Sequence, residues 1–341
     1  MTAPSHGRDQ QVAMLRSLLD ELGITPEQLI AGPATVAAIP TFAEYVPLLS
    51  EAVSPGSRKV YGPYWERICE RWGERRITEP TPLEIKQLSE EVRRNAIVRR
   101  NTRGGRTAAE HLISALRCLY RHATSDGLIR DADNPAAKVA KPRRLASHRM
   151  ALSVSQLAEI SAAAGATGND PDLDCLLLRL HVETACRRGG ALALRREDVD
   201  PDLCLISLRE KGGIFRRQPI SPTLMRHLLV QHAERGSDDA STRLLRYRDG
   251  RSLTYRRYDH LWRRIGAHLP WVRTQQISTH WLRHTTLTWV ERNWGYAVAR
   301  AYAGHAQPKN AGTTLTYVQA DIHEVAAALS ELTGEPHPLA P

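Results

Sequence analysis

The sequence predicts a mainly α-helical protein with a small antiparallel sheet, an α+β fold in which helices dominate. Apolar residues recur every three or four positions through most of the chain, as in "AEHLISALRCLY" at 109–120, and this period is that of a helix. By contrast, residues 203–208 and 214–220 form short β-prone runs on either side of "KGG" at 211–213, a pattern typical of a hairpin.

The chain of 341 residues is too long for one small core and predicts two domains with an additional amino-terminal segment. That segment, residues 1–40, contains one or two short helices within 9–31, and the sequence leaves its role open between DNA contact and dimerisation. A helical domain is predicted over 41–133. Its helices are expected at 55–73, 82–100 and 105–125.

A basic linker is predicted over 134–150, where "NPAAKVAKPRRLASHRM" contains two prolines and no acidic residue. This segment either contacts phosphates or is a solvated linker and nothing more. The second domain is predicted over 151–335, followed by a tail at 336–341, and a second strand pair is expected around "RDG" at 248–250. Its later helices are expected at 222–235, 255–268, 278–294, 296–303 and 322–333.

The charge balance favours a polyanionic partner, since the net charge is +10 and the isoelectric point is about 9.6. Arginine far exceeds lysine, and its planar guanidinium suits phosphate contacts. A GC-rich genome would explain the choice of arginine over lysine equally well, but not the positive charge. The candidate DNA-binding residues are Arg99, Arg100, Arg103 and Arg106 in the helical domain and Lys138, Lys141, Arg143 and Arg144 in the linker.

The five cysteines are scattered, without paired or zinc-binding spacing, which predicts a reduced intracellular protein. The sequence begins "MTAPSHGRDQQ", without an apolar signal region, and no apolar run approaches membrane-spanning length. A cytoplasmic protein without membrane association is therefore expected.

One stretch, "ISTHWLRHTTLTWV" at 277–290, places His280, Arg283 and His284 on the same edge of a helix. Two imidazoles and a guanidinium on one edge suggest a site for an anion, although the pattern alone also fits a solvated basic face. The opposite side is expected to pack into a core through Leu282, Thr286 and Trp289.

Four other places stand out: Arg187 in "TACR", Lys211 in "EKGG", His305 in "AGH" and Tyr317 in "TLTY". Each has an ordinary explanation when taken alone. An arginine at a helix end stabilises the helix dipole, a lysine at a hairpin tip is solvated, and a tyrosine packs in a core. If a tyrosine in this region acts as a nucleophile, Tyr302 is the nearest alternative to Tyr317, although it lies inside a helix-like run.

Together and in this order, these residues resemble the tyrosine recombinase, or phage integrase, family. That family has an arginine in a turn, a lysine in a β-hairpin, an HxxR motif, a GH or GW pair and a nucleophilic tyrosine. The resemblance is firm over about 150–335, is looser for the basic helical domain and does not extend to the first forty residues. It implies a helical core-binding domain followed by a recombinase-like catalytic domain.

The resemblance also implies a function: a site-specific recombinase or integrase, of a phage or other mobile element, that cuts and rejoins DNA. The implied catalytic residues are Tyr317, Arg187, Lys211, His280, Arg283 and His305. Tyr317 would form a 3′-phosphotyrosyl ester without a metal or other cofactor. The implied partners are double-stranded DNA with a specific attachment site and further copies of the chain, in a tetrameric synapse.

Two departures from the family pattern stand out. Gly190 replaces an acidic residue that is common in the family, and the interval from His305 to Tyr317 is longer than usual. Whether Tyr317 acts in its own subunit or a neighbouring one therefore stays open. The terminal helix "IHEVAAALSEL" equally fits packing on its own domain or on another protomer. Alternatives on the same fold are a type IB topoisomerase and a catalytically silent DNA-binding regulator.

Overall fold

The computed structural model of the chain describes residues 6–23, 25, 39–96, 105–143, 150–210, 214–236, 239, 241–304 and 320–341. The chain divides into two compact units, Met1–Ala146 and Ser147–Pro341. Within the described ranges, no helix has both the length and the apolar character needed to cross a lipid bilayer.

The amino-terminal unit is helical. Its helices are α1 (His6–Leu22), α2 (Phe42–Ala52), α3 (Pro55–Trp72), α4 (Pro82–Arg94) and α5 (Arg106–Ser125). Thr41 and Thr81 begin α2 and α4 with capping boxes, in which each threonine side chain accepts a backbone N–H that the helix leaves unpaired. The core gathers large aromatic side chains, and the buried Trp65 indole donates a hydrogen bond to the Ala115 carbonyl at 3.1 Å.

Part of the predicted linker packs on this unit. Ala136 and Val139 belong to the helical core, and the Arg117 guanidinium donates hydrogen bonds to the carbonyl oxygens of both. Four predicted DNA-binding residues are exposed, namely Arg106, Lys138, Lys141 and Arg143. The domain boundaries themselves stay a prediction, but these contacts place residues 136–139 with the helical unit rather than in free linker.

The carboxy-terminal unit combines helices with one sheet. Its elements are α6 (Val154–Ala166), α7 (Pro171–Thr184), α8 (Arg188–Ala193), β1 (Val199–Asp200), β2 (Leu205–Glu210), β3 (Ile214–Pro219), α9 (Pro222–Arg235), α10 (Tyr255–His268), α11 (Pro270–Gln275), α12 (Thr279–Ala303) and α13 (Ile322–Thr333). The three strands are antiparallel in the order β1-β2-β3, with Leu208 opposite Arg216.

The structure tests two predictions for the carboxy-terminal unit, the strand pair around 248–250 and the break between its last long helices. The expected pairing around 248–250 is present only as an antiparallel bridge between Arg246 and Ser252, with backbone hydrogen bonds on either side of it, and not as a pair of strands. The break between the last long helices is confirmed at Gly295, whose φ of 78° interrupts α12. Glycine adopts this backbone conformation readily because it has no Cβ.

Helix α12 lies against α7, and this packing positions the candidate site. Thr286 donates a hydrogen bond to the Val182 carbonyl at 2.6 Å, and Leu282 is buried. Trp289 is partly buried against Val290 and Tyr302. The apolar side of the helix therefore packs into the core as the sequence predicts.

The last residues are held on the same unit. Helix α13 buries Val325 and Leu329 in the core that includes Tyr302. Beyond it, Glu335 accepts hydrogen bonds from Arg179 at 2.5 Å and from the Thr223 backbone at 3.1 Å. The terminal helix thus packs on its own unit, which is one of the two possibilities left open by the sequence.

The buried His337 side chain helps to attach the tail. Its Nδ1 accepts from the Leu339 N–H at 3.1 Å, so its Nε2–H donates to the Cys204 carbonyl, also at 3.1 Å. Burial lowers the pKa of His337, because the interior disfavours the charged imidazolium, and the bond to Cys204 offsets this only in part.

We expect the tail to detach in mild acid. A histidine whose folded pKa is lowered contributes stability that is complete above its unfolded pKa of about 6.5 and is lost as the pH falls below it. Burial raises the pKa of Glu335, but hydrogen bonds from Thr223 and Arg179 outweigh burial and lower it, so that carboxylate stays charged in this range. The protection factors of residues 334–341, which correct hydrogen exchange for its intrinsic slowing in acid, should be several-fold lower at pH 5.5 than at pH 7.5. In His337→Gln the protection factors should be the same at both pH values; a pH dependence as large as that of the wild type would contradict this assignment.

Candidate active site

The turn that carries Arg187 follows directly on helix α7. Ala185 has φ 48° and ψ 25°, in the left-handed region, and reverses the chain at the end of the helix. The Thr184 hydroxyl donates to the Leu180 carbonyl and accepts from the Cys186 N–H. Arg187 is half-buried and stands at the N-cap of α8, with the exposed Arg188 beside it.

Two buried arginines join this turn to the end of helix α12. Arg283 is 4% exposed and donates from its two terminal nitrogens to the carbonyls of Ala185 and Ala303, the latter at 2.8 Å. Arg216, on β3, donates to the carbonyls of Thr184 at 2.9 Å and Tyr302 at 2.7 Å.

The pairing satisfies backbone groups that helices leave without partners. The last carbonyls of a helix have no intrahelical donor and carry partial negative charge, so a guanidinium there supplies both a hydrogen bond and a favourable charge. Both arginines act on the ends of α7 and α12 together. The turn before Arg187 is therefore fixed to the helix that ends immediately before Gly304 and His305.

Gly304 is the residue where helix α12 ends, and it is required for two reasons. Its φ of 62° lies in the left-handed region, and a Cβ placed on it would lie 2.3 Å from Cδ of Arg216. That side chain cannot move away without losing its bonds to Thr184 and Tyr302.

Replacement of Gly304 by Ala should therefore destabilise the carboxy-terminal unit by about 2–5 kcal/mol. This figure is the sum of the cost of a left-handed backbone at alanine and the cost of overpacking against Arg216. Gly334→Ala is a matched control, because Gly334 has φ 69° but no atom within 4 Å of its added Cβ. It should lose only the strain of about 1–2 kcal/mol. Urea unfolding of both variants measures the difference, and equal losses would show that Arg216 does not constrain Gly304.

Tyr302 does not serve as a nucleophile in this structure. Its side chain is fully buried, and its hydroxyl donates a hydrogen bond to the Glu183 carbonyl. Burial raises the pKa of this phenol far above its ordinary value, first through loss of solvent and further through the nearby Glu183. The alternative nucleophile considered from the sequence is thus part of the core.

The buried carboxylate of Glu183 stabilises the end of α7, just before the turn that carries Arg187. Glu183 is 2% exposed and accepts from Arg179 at 2.6 Å and from the backbone and hydroxyl of Ser221, each at 2.9 Å. Such a group is stable inside a protein only when its oxygens are paired. The ion pair between Arg179 and Glu183 fixes the last turn of α7. In that turn, the backbone carbonyl of Glu183 accepts the hydrogen bond from the Tyr302 hydroxyl.

The predicted site residues occupy different environments. His280 is exposed in the first turn of α12, whereas Arg283, one helical turn further, is buried, and His284 is half-buried with Nδ1 3.3 Å from the Thr288 hydroxyl. The predicted edge therefore does not form one solvated face, because two backbone carbonyls draw Arg283 inward. The other predicted residues, Lys211, His305, Tyr317, Arg99, Arg100, Arg103 and Arg144, lie outside the described residues.

The sequence prediction missed Arg216, Glu183, and the buried pair His181 and Tyr258. In the pair, the ring nitrogens of His181 lie 3.1 Å from the Cys186 carbonyl and 2.9 Å from the Tyr258 hydroxyl. No short motif marks these residues.

In the described part of the chain, no group of three metal-binding side chains lies close enough together to hold an ion.

Comparison with known proteins identifies the family. The phage integrase family model matches residues 150–324, just over half of the chain. The chain belongs to the phage integrase family. Among curated proteins, it is similar to tyrosine recombinase XerD of two Mycobacterium tuberculosis strains, CDC 1551 / Oshkosh and H37Rv, with 29% identity over 248 residues in each case. These matches cover 69% of this chain and 75% of each relative.

Solved structures share the fold of this phage integrase family member. A lambda integrase tetramer bound to a Holliday junction aligns with TM-score 0.60 and 15% identity, over 89% of this chain and 90% of that one. The Tn1549 transposon integrase aligns with TM-score 0.59 and 15% identity, over 85% and 98%. The family match and the curated relatives together identify the protein as a tyrosine-type site-specific recombinase.

Proposed function

We propose that this recombinase cleaves and rejoins double-stranded DNA at a specific attachment site through a covalent bond between Tyr317 and a 3′ phosphate. The observation that carries the proposal is the pairing made by Arg216 and Arg283. They hold the turn that precedes Arg187 against the helix end that precedes His305. The turn before Arg187 and the end of the helix that carries Arg283, which are far apart in the sequence, thus meet in one unit.

The proposed reaction exchanges one phosphate ester for another. The Tyr317 phenol oxygen attacks phosphorus, and the bond from phosphorus to the 5′ oxygen breaks. His280 accepts the phenol proton, and Lys211 gives a proton to the departing 5′ oxygen. Because the phosphotyrosyl ester conserves the bond energy, a 5′ hydroxyl can reverse the reaction and reseal a strand.

The cationic residues stabilise the phosphate as charge develops on its oxygens. We assign Arg187 and His305 to direct hydrogen bonds with non-bridging oxygens. Arg283 has a positioning role through Ala185 and Ala303, and its guanidinium has further N–H groups for the phosphate role inferred from the sequence. The reaction so described needs neither a metal nor another cofactor.

DNA affinity is proposed to come mainly from the basic helical domain and linker. Arg106, Lys138, Lys141 and Arg143 are exposed, as phosphate contacts require, and Arg99, Arg100, Arg103 and Arg144 extend the same basic segments. We also propose assembly into a tetrameric synapse. Its support is the fold shared with a lambda integrase whose tetramer binds a Holliday junction.

Covalent capture tests the proposal. Purified protein is incubated with a nicked suicide duplex chosen from a randomised library by its ability to form an adduct. Proteolysis and mass spectrometry then locate the nucleotide on a peptide, and end labels show which strand terminus it carries. We expect a peptide containing Tyr317 linked to a 3′ phosphate. A 5′ linkage, a different residue, or the absence of any adduct would overturn the proposal.

A second measurement separates recombination from strand relaxation. Two differently labelled duplexes that carry the captured sequence are mixed with the protein. We expect products that join one label to the other. A parallel reaction uses a supercoiled plasmid that carries the same sequence, and relaxation of the plasmid without joined products would instead indicate topoisomerase activity.

A further inference from the structure

Helix α10 presents a row of basic side chains on its exposed side. Arg256, His260 and Arg263 follow one another at helical spacing and are all exposed, whereas Tyr258 and Leu261 on the other side are buried. Within the described ranges, none of the three side chains has an ion-pair or hydrogen-bond partner. Two arginines and a histidine in a row, without partners of their own, are suited to a polyanion such as DNA.

Two open grooves border this row. One, of about 580 Å³, is lined by residues that include Tyr247, His260 and Arg263. The other, of about 530 Å³, is lined by Tyr247, Arg256 and His260 among others. The row therefore borders open space on its own unit.

The same helix holds Arg188, the residue that follows Arg187. The Arg188 guanidinium lies 5.4 Å from the centre of the Tyr255 ring, within the range of a cation–π contact, and 3.5 Å from the Asp259 carboxylate. The chain beside it passes close to this ring, since a Cβ on Gly189 would lie 3.3 Å from the Tyr255 hydroxyl.

Helix α10 also holds the residue that precedes Arg187. The Tyr258 hydroxyl lies 2.9 Å from Nε2 of His181, and Nδ1 of His181 lies 3.1 Å from the Cys186 carbonyl. All three residues are buried. Contacts from this one helix thus reach the residues on both sides of Arg187.

We propose that helix α10 couples DNA contact to catalysis. Its exposed row of Arg256, His260 and Arg263 binds DNA, while Tyr255, Tyr258 and Asp259 hold the turn that positions Arg187. A helix is a rigid element, so fixing one side of α10 on DNA fixes the side that holds the turn. This inference rests on the proposed function, because it assigns Arg187 to the scissile phosphate.

The first test separates affinity from rate. Arg256→Ala, in the full-length protein, is assayed with the captured suicide duplex described above. We expect weaker binding, with a salt dependence reduced by about 0.9 in slope for one lost phosphate contact. The single-turnover cleavage rate at saturating protein should fall by about tenfold, since small displacements of a catalytic group cost that much or more. Arg226→Ala, which removes an exposed arginine from α9, should keep the wild-type rate.

The second test removes the contact to Arg188. Tyr255 is exposed, so its replacement does not endanger folding. Tyr255→Ala should bind DNA with unchanged affinity but cleave about tenfold more slowly at saturation. Tyr255→Phe, which keeps the ring, should restore the rate.

Wild-type rates at saturation in both Arg256→Ala and Tyr255→Ala would overturn the coupling and leave α10 as a contributor to affinity alone. A matching loss of rate in Arg226→Ala would also overturn it, because the loss would then follow from net charge. Failure of the wild-type protein to form any adduct would instead reject the proposed function on which the inference rests.

Discussion

Replacement of Tyr317 by Phe is expected to abolish covalent capture of DNA. The substitution removes the oxygen that is proposed to bond to phosphorus and changes little else in the side chain. Loss of a nucleophile lowers a rate by several orders of magnitude, so the single-turnover cleavage rate should fall by about 10⁴-fold or more. DNA affinity should remain, because it comes mainly from phosphate contacts elsewhere. Denaturing gels of the suicide-duplex reaction measure the adduct, and filter binding measures the affinity.

Tyr302→Phe is the matched control for this prediction. It removes a hydroxyl that donates to the Glu183 carbonyl inside the core. We expect it to destabilise the protein by about 1–2 kcal/mol, as loss of a buried hydrogen bond does, and still to form the adduct. The assignment of Tyr317 would be wrong if Tyr317→Phe formed the adduct or if only Tyr302→Phe failed to form it.

Replacement of Arg283 by Lys is expected to damage both stability and cleavage. The guanidinium binds the Ala185 and Ala303 carbonyls from two separate nitrogens, and a single ammonium cannot reproduce that forked geometry. With one buried carbonyl left without a donor, the free energy of unfolding should fall by about 1–3 kcal/mol. The cleavage rate should also fall, by on the order of 10²-fold, because the turn that carries Arg187 loses one of its two attachments, the other being Arg216.

Urea unfolding and single-turnover cleavage measure the two effects. Arg292→Lys is the control, since Arg292 is exposed on the same helix. It should leave both quantities near their wild-type values. An unchanged unfolding midpoint in Arg283→Lys would show that the two carbonyls do not depend on the forked side chain.

The order of elements could be predicted from the sequence wherever local signals were strong. Gly295 interrupts the apolar period of α12, and the predicted break coincides with its φ of 78°. The β2–β3 hairpin was visible because two β-prone runs flank a glycine pair. Short elements such as α8 and α11, with six residues each, contain too few residues for a period to be recognised.

Strand β3 shows why Arg216 could not be found in this way. Apolar and polar residues alternate in a half-buried strand, so the pattern would place Phe215 inside and Arg216 outside. The structure does the opposite: Phe215 is 60% exposed and Arg216 is 8% exposed. The reason is tertiary, because the buried guanidinium finds the Thr184 and Tyr302 carbonyls, which lie on other elements.

The candidate site was predicted through its motif residues, and its supporting residues were not. Arg187 and Arg283 stand out because the family pattern includes them. His181 and Tyr258 carry no motif, and their pairing depends on how α7 and α10 pack. The inward position of Arg283 likewise depends on the carbonyl of Ala303, twenty positions further along the chain. No sequence pattern reveals that this carbonyl lies beside Arg283.

The acceptors of the two buried arginines are main-chain oxygens, and this has an evolutionary consequence. A carbonyl oxygen is present whichever amino acid occupies a position, so Thr184, Ala185, Tyr302 and Ala303 provide it without regard to their side chains. Mutation at such positions preserves the attachment provided that the backbone keeps its path. Drift of residue identity is therefore compatible with a retained architecture, as in the lambda integrase, which aligns at only 15% identity with a TM-score of 0.60.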